Sequence, residues 1–213
     1  MSGVAGLLLA AGAGRRFGMP KALVECDGRL LVERAVNVLR SGGCAPVVVV
    51  LGAAAAEVRR LARLGDAVLV DNPDWPTGMG SSLRAGLAAL ADGDARAVVV
   101  LPVDMPGVTA EAVRRVAAFA RPDALAAATY GGVRGHPVLL GRDHWPGVAL
   151  AARGDVGARD YLRERQVRPV RCDEVASGED FDLPGDVAAG NVSRRGSPKW
   201  GIARGECGRG DPG

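Results

Sequence analysis

The stretch Val4–Leu23, VAGLLLAAGAGRRFGMPKAL, decides the fold. Its first seven residues are a continuous apolar run without polar alternation, which is the pattern of a strand covered on both faces. The run empties into small residues and glycines, and Arg15, Arg16 and Lys21 follow. A strand that ends in such a loop marks the edge where open α/β sheets bind ligands. Outward from this segment, similar runs at Val47–Leu51, Ala67–Val70 and Ala97–Leu101 alternate with amphipathic patterns at Leu30–Arg40, Ala53–Arg63, Gly80–Ala91 and Thr109–Ala120. The alternation predicts an α/β protein with a doubly wound, mainly parallel sheet in three α/β/α layers. Past Pro122, strands are expected at Ala124–Thr129, Val138–Leu140 and Val167–Cys172, with a helix at Val156–Arg165 and a last short helix opening in the acidic segment Glu179–Asp186.

At 213 residues and 48% hydrophobic content, the chain suits one substantial core. Aromatic residues are only 4% of it, so Ala, Val and Leu must build that core. The expected domain is residues 1–189. Residues 190–213 are rich in Gly, Arg, Ser and Pro without periodicity and are expected to form a disordered tail. The whole formal charge of +3 lies in that tail, where Arg194, Arg195, Lys199, Arg204 and Arg209 face only Glu206 and Asp211, which leaves the body electrically balanced. A balanced body excludes a nucleic-acid partner, which would call for a basic face. Cys26, Cys44, Cys172 and Cys207 are widely spaced and form no CxxC pair, so neither a zinc site nor a disulfide framework is expected. With no signal peptide and no membrane-spanning stretch, the expected setting is the cytoplasm.

The loop after the first strand carries the candidate ligand site. Leu9, Ala10, Ala11, Gly12 and Gly14 let backbone N–H groups approach phosphates, while Arg16 supplies a planar fork and Lys21 a point charge against a polyphosphate. The spacing of Gly12, Gly14 and Gly18 loosely resembles a dinucleotide fingerprint. Against that reading, Pro20 falls where the dinucleotide-binding helix would already run, and Gly52 with alanines follows the second strand in place of a ribose-binding acid. Asp104, in LPVDMPGV, stands just beyond the strand Ala97–Leu101 and is placed to hold Mg²⁺ on those phosphates, because Thr109 is the better cap for the next helix. Asp180 and Asp182 alternate in EDFDLPGD, so in an extended segment both face one way. In NPDWPTGMGSSLRAGL, Gly80 and the hydroxyls of Ser81 and Ser82 lie at a helix start, where a base edge or phosphate binds. Trp75 either gates that pocket or packs its loop. His136, in RGHPVLL, is either a substrate contact or a turn histidine. The chain has no P-loop and no GxSxG elbow.

Taken in order, LAAGAGRRFGMPKAL, NPDWPTGMGSSLRAGL, LPVDMPGV, RGHPVLL, GDVGARDYL and DFDLPGD resemble the MobA-like nucleotidyltransferases, and within them the molybdenum cofactor cytidylyltransferase branch. The likeness runs from about Leu7 to Asp186. It implies a Rossmann-like nucleotidyltransferase fold and Mg²⁺-dependent transfer of CMP from CTP to a molybdopterin-type acceptor, with release of pyrophosphate and a molybdoenzyme as downstream partner. It also implies that Ala10, Ala11 and Gly12 contact the nucleotide, that Arg16, Lys21 and Asp104 serve the chemistry, that Gly80 and Ser82 help read base and ribose, and that Asp104 and Asp182 hold the metal. The paired alanines of LAAG favour cytidylyl over guanylyl transfer. Leu183 and Gly185 depart from the branch, which carries Thr and Glu there. The competing readings are a guanylyl or sugar-phosphate nucleotidylyltransferase, a nicotinamide oxidoreductase and a non-catalytic cofactor chaperone.

Overall fold

A computed structural model describes residues 3–180 and the backbone of residues 204–205. Asp182 and nearly all of the expected tail lie outside the described residues. In chain order, β1 (Val4–Ala10) leads through a short hairpin, β2 (Glu25–Cys26) and β3 (Arg29–Leu30), into α1 (Leu31–Ser41). Next come β4 (Val47–Leu51), α2 (Ala55–Leu61), β5 (Val68–Asp71), α3 (Met79–Leu90), β6 (Ala97–Pro102) and α4 (Ala110–Ala117). The last part comprises β7 (Leu125–Tyr130), β8 (Val133–Gly141), α5 (Trp145–Ala151), α6 (Arg159–Arg163) and β9 (Arg168–Arg171).

Seven strands form one sheet in the order β5-β4-β1-β6-β8-β7-β9. All of them are parallel except β8, which runs antiparallel between β6 and β7. Successive side chains on a strand point to opposite faces, so the two faces of the sheet own alternate residues of the same apolar run. Leu8 and Ala10 of β1, Val49 and Leu51 of β4, and Val99 and Leu101 of β6 pack beneath α1, α2 and α4. Leu7 and Leu9, Val48 and Val50, and Val98 and Val100 pack against α3, α5 and α6 on the other face. Each buried helix residue then removes apolar area from water at about 25 cal/mol per Å². The outcome is three layers with two cores, which is why these strands read as unbroken hydrophobic runs.

The element boundaries of β1 and β4 are those the sequence predicts, and the other strands and helices predicted before Pro122, with the strands at Ala124–Thr129 and Val167–Cys172, are present with shifted ends; the last short helix expected in Glu179–Asp186 falls almost wholly outside the described residues. Three features differ. The strand expected at Val138–Leu140 begins at Val133 and is antiparallel, α5 was not foreseen, and the helix expected at Val156–Arg165 is a 3₁₀ turn at Gly154–Val156 followed by the short α6. Among the described cysteines, Cys44 and Cys172 are buried free thiols, whereas Cys26 is disulfide-bonded, against the expectation from its spacing. No helix of the described residues is long and apolar enough to cross a membrane.

Candidate active site

Strand β1 is followed spatially by β4 on one side and by β6 on the other, so the chain's winding reverses between β1 and β6. Crevices at such a reversal, beyond the carboxyl ends of the strands, are where this architecture takes ligands. The loop after β1 and the turn after β6 meet there. The N–H of Val103 donates to the Leu9 carbonyl at 3.0 Å and ties the two together.

Residues 11–20 form the loop that leaves β1 at this edge. Ala10 and Ala11 are buried, while Gly12 and Arg16 are exposed, and the space a Cβ would enter at Gly12 is open. The loop turns at Gly14, whose φ is +60°. A side chain there would overlap the Met19 carbonyl, so only glycine closes this turn. Gly18 N–H completes it by donating to the Gly14 carbonyl at 2.8 Å. No α-helix follows the glycines: a 3₁₀ turn at Lys21–Leu23 comes next and the first α-helix starts at Leu31. A dinucleotide fold would begin its helix inside the glycine loop.

That 3₁₀ turn delivers Lys21, whose Nζ donates to Oδ2 of Asp104 at 2.8 Å. The side chains are 15% and 26% exposed respectively, so the pair is shielded yet reachable from the crevice. Asp104 is free to face it because Thr109 supplies the helix cap: its Oγ1 accepts from the Ala112 N–H at 3.3 Å and donates to the Val175 carbonyl.

Beside Asp104 opens a cavity of about 610 Å³. Leu9, Asp104, His136, Asp155, Arg159 and Asp180 are among its lining residues. His136 belongs to β8 and is not a turn residue; its carbonyl accepts the Tyr130 hydroxyl at 2.8 Å. Burial pulls its pKa down from 6.5 to about 4, with Arg159 pressing the same way and Asp104 opposing. The imidazole is therefore neutral at physiological pH and offers one donor and one acceptor.

The start of α3 departs from its expected role. Ser81 and Ser82 are buried, and Asn72 Nδ2 donates to both hydroxyls, at 2.8 and 3.0 Å. Ser81 Oγ in turn donates to the carbonyls of Gly78 and Asp74. Gly80 is also buried, and a Cβ on it would overlap the backbone of Ala152 and Arg153. These three residues hold the loop against α3 and do not line the cavity, whereas their neighbours Met79 and Leu83 do. The α3 terminus is met from a distance, since Asp155 Oδ1 accepts the Met79 N–H at 3.3 Å. Trp75 packs its loop, its Cβ lying close over Gly52.

Of the residues expected from the sequence, Leu9, Asp104 and His136 line the one cavity, and Lys21 reaches it through its contact with Asp104. Asp155, Arg134 and Arg159 were missed. GDVGARDYL and RGHPVLL contain them, but their side chains carry no spacing signal.

For a metal, the donor set is small. Among the described residues no three His, Cys, Asp or Glu side chains gather as ligands. One exposed-edge carboxylate, Asp104, with Asp180 on the same cavity, fits a Mg²⁺ that keeps water and takes its other oxygens from substrate phosphates, and does not fit an all-protein cage.

A reversal crevice with a glycine loop, a lysine and a carboxylate defines a nucleotide-handling α/β protein. The chain belongs to the MobA-like NTP transferase family: the profile of the MobA-like NTP transferase domain matches residues 6–170. It is 41% identical over 189 residues to the nicotine blue oxidoreductase of Paenarthrobacter nicotinovorans, covering 84% of this chain and 92% of that one. It is 33% identical over 144 residues to the molybdenum cofactor guanylyltransferase of Rhodobacter capsulatus, covering 67% and 65%. Among solved structures, Rv0371c of Mycobacterium tuberculosis H37Rv in complex with manganese is similar with a TM-score of 0.68 and 25% identity, covering 88% of this chain and 94% of that one.

Proposed function

We propose that the protein transfers CMP from CTP to a molybdopterin-type acceptor and releases pyrophosphate, with residues 1–189 as the working unit. The observation that carries the reading is the Lys21–Asp104 contact at 2.8 Å beside an open glycine loop at the sheet's reversal point. Family membership supports nucleotidyl transfer, and the guanylyltransferase relative supports the acceptor class. The cytidylyl choice rests on Ala10 and Ala11 in LAAG.

In the reaction, an oxygen of the acceptor's phosphate attacks the α-phosphorus of the triphosphate in line. The new P–O bond forms as the bond to the β-phosphate oxygen breaks, and that electron pair leaves with pyrophosphate. A phosphate monoester is already a competent nucleophile, so positioning and charge neutralisation carry the rate. Gly12 and its neighbours seat the triphosphate by backbone N–H groups, and Arg16 and Lys21 stabilise the charge that grows on the departing pyrophosphate. Asp104, with Asp180 on the same cavity and Asp182 as the expectation from sequence, would hold Mg²⁺, which supplies a Lewis acid for the phosphate oxygens. Once Lys21 turns to the phosphates, Asp104 is released to that task.

A second reading follows from the 41% identity to an enzyme named nicotine blue oxidoreductase, in which the same cavity would take an organic electron acceptor. The absence of a helix at the glycine loop and the Gly52–Ala56 segment after β4 weigh against a dinucleotide there. A pyrophosphate-release screen of CTP, GTP, ATP and UTP, with and without molybdenum cofactor, separates the two. Dependence on CTP and acceptor together is expected. Oxidation of NADH or NADPH by nicotine blue with no triphosphate consumed would establish the second reading instead.

A further inference from the structure

One side chain outside the cavity stands behind two parts of its wall. Tyr130, the last residue of β7, is half-buried and does not line the cavity itself. Its hydroxyl donates to the His136 carbonyl at 2.8 Å, and burial raises its pKa, so it stays protonated as a donor. One edge of its ring is met from two directions. A Cβ on Gly135 of β8 would lie 3.1 Å from Cδ2 and Cε2, and a Cβ on Gly178 would overlap the same two atoms. Gly135 and Gly178 both line the cavity, and each leads to a residue of the site. His136 follows Gly135, and Asp180 stands two places beyond Gly178.

The segment that ends at Gly178 is pinned on its way there. After β9, the Cys172 N–H donates to the Thr129 carbonyl at 3.1 Å. Oδ1 of Asp173 then accepts the Gly131 N–H, which holds that carboxyl below its ordinary pKa. The Val175 carbonyl accepts from Thr109 Oγ1 at 2.9 Å, and the Ser177 N–H donates to the Gly107 carbonyl at 3.0 Å. A Cβ on Gly107 would lie 2.8 Å from the Cβ of Ser177, so the two backbones meet without room for a side chain. Residues 172–178 therefore form a strap, tied to the end of β7 and to the turn that carries Asp104. Two extended residues span at most about 7 Å, so seating Gly178 confines Asp180.

We infer that Tyr130 and Gly178 are positioning residues: the strap closes on the ring edge with no space for a side chain, and this contact sets where Asp180 enters the cavity that Asp104 lines. Tyr130 acts through Asp180 and touches no substrate. The part given to Asp180 rests on the cation role proposed above, so the readout is ion binding and not turnover. Mn²⁺ uptake by the full chain is titrated by electron paramagnetic resonance at one fixed CTP concentration without acceptor. In Gly178→Ala the added methyl lifts the strap from the ring; in Tyr130→Leu the ring edge is gone and the strap gains no atom. Each should weaken Mn²⁺ binding at least about tenfold, the scale on which groups that orient metal ligands act. Asp180→Asn should weaken it at least as much. In the Asp180→Asn background neither further change should weaken it again, whereas a general loosening of the fold would persist there. The two variants reach the contact from opposite sides, so either one that keeps a cooperative thermal melt decides the matter. Unchanged Mn²⁺ affinity in a folded variant, or a loss that adds to that of Asp180→Asn, overturns the inference. Absence of CTP-dependent pyrophosphate release in the wild type counts against the transfer reaction alone and leaves the ion titration readable.

Discussion

Replacing Asp104 by Asn keeps the side chain's size and removes the charge that Lys21 contacts at 2.8 Å. The pair is mostly shielded, with side chains 15% and 26% exposed, so the lost charge-assisted bond costs about 2 kcal/mol. For a chain of this size that lowers Tm by about 4–8 °C, and a protein with roughly 5–15 kcal/mol of stability remains folded at 25 °C. Catalysis should suffer far more. Removing one preorganised charge from a site of this kind slows the chemical step about 10²–10³-fold. The assay pairs a thermal melt with single-turnover pyrophosphate release from CTP and acceptor, for Asp104→Asn, Lys21→Met and the double variant. Because the two groups serve one phosphate site, the double variant should lose little more than the slower single. A folded Asp104→Asn protein that releases pyrophosphate at the wild-type rate would refute the assignment and leave the pair a scaffold contact.

Gly14→Ala forces a side chain into a left-handed turn and onto the Met19 carbonyl, so it should cost about 1–2 kcal/mol or more and raise the KM for CTP; urea melts and initial rates check both. Asn72→Ala removes the donor shared by two buried hydroxyls and should destabilise the protein by about 2–3 kcal/mol in urea, with activity falling only as far as the loop before α3 loosens. His136 titrates at about 4 when folded and near 6.5 when unfolded, so the unfolded chain takes up the proton first as pH falls. Stability present above pH 6.5 is lost progressively down to pH 4, by at most about 3 kcal/mol. In His136→Gln that part of the pH dependence of Tm should be missing, and an unchanged profile would show that the imidazole is not held neutral.

How much was legible depends on where each signal lies along the chain. β1, β4 and β6 declare themselves because both faces of each are covered, which leaves a contiguous apolar record. α5 was invisible because Pro146 and Gly147 follow directly on Trp145 and read as a turn, although proline is tolerated in a helix's first turn. The first half of β8 was unread because Arg134, Gly135 and His136 show no strand periodicity; pairing of Val133 and Arg134 with Tyr130 and Thr129 of β7 sets this end of the strand in the sheet. At the site, Gly14 and Lys21 stood out from local chemistry, and Thr109 already marked Asp104 as free of capping duty.

By itself, then, the sequence determined the strand and helix alternation, the glycine loop and the acidic turn after β6, since each is written in the burial or backbone demands of neighbouring residues. Only the tertiary structure decided that Lys21 meets Asp104 across 83 positions, that Ser81 and Ser82 turn inward to Asn72, and that Arg134 and Arg159 share one cavity. The physical reason is that periodicity records which face of an element is buried, whereas crossovers and packing choose which distant face it is buried against.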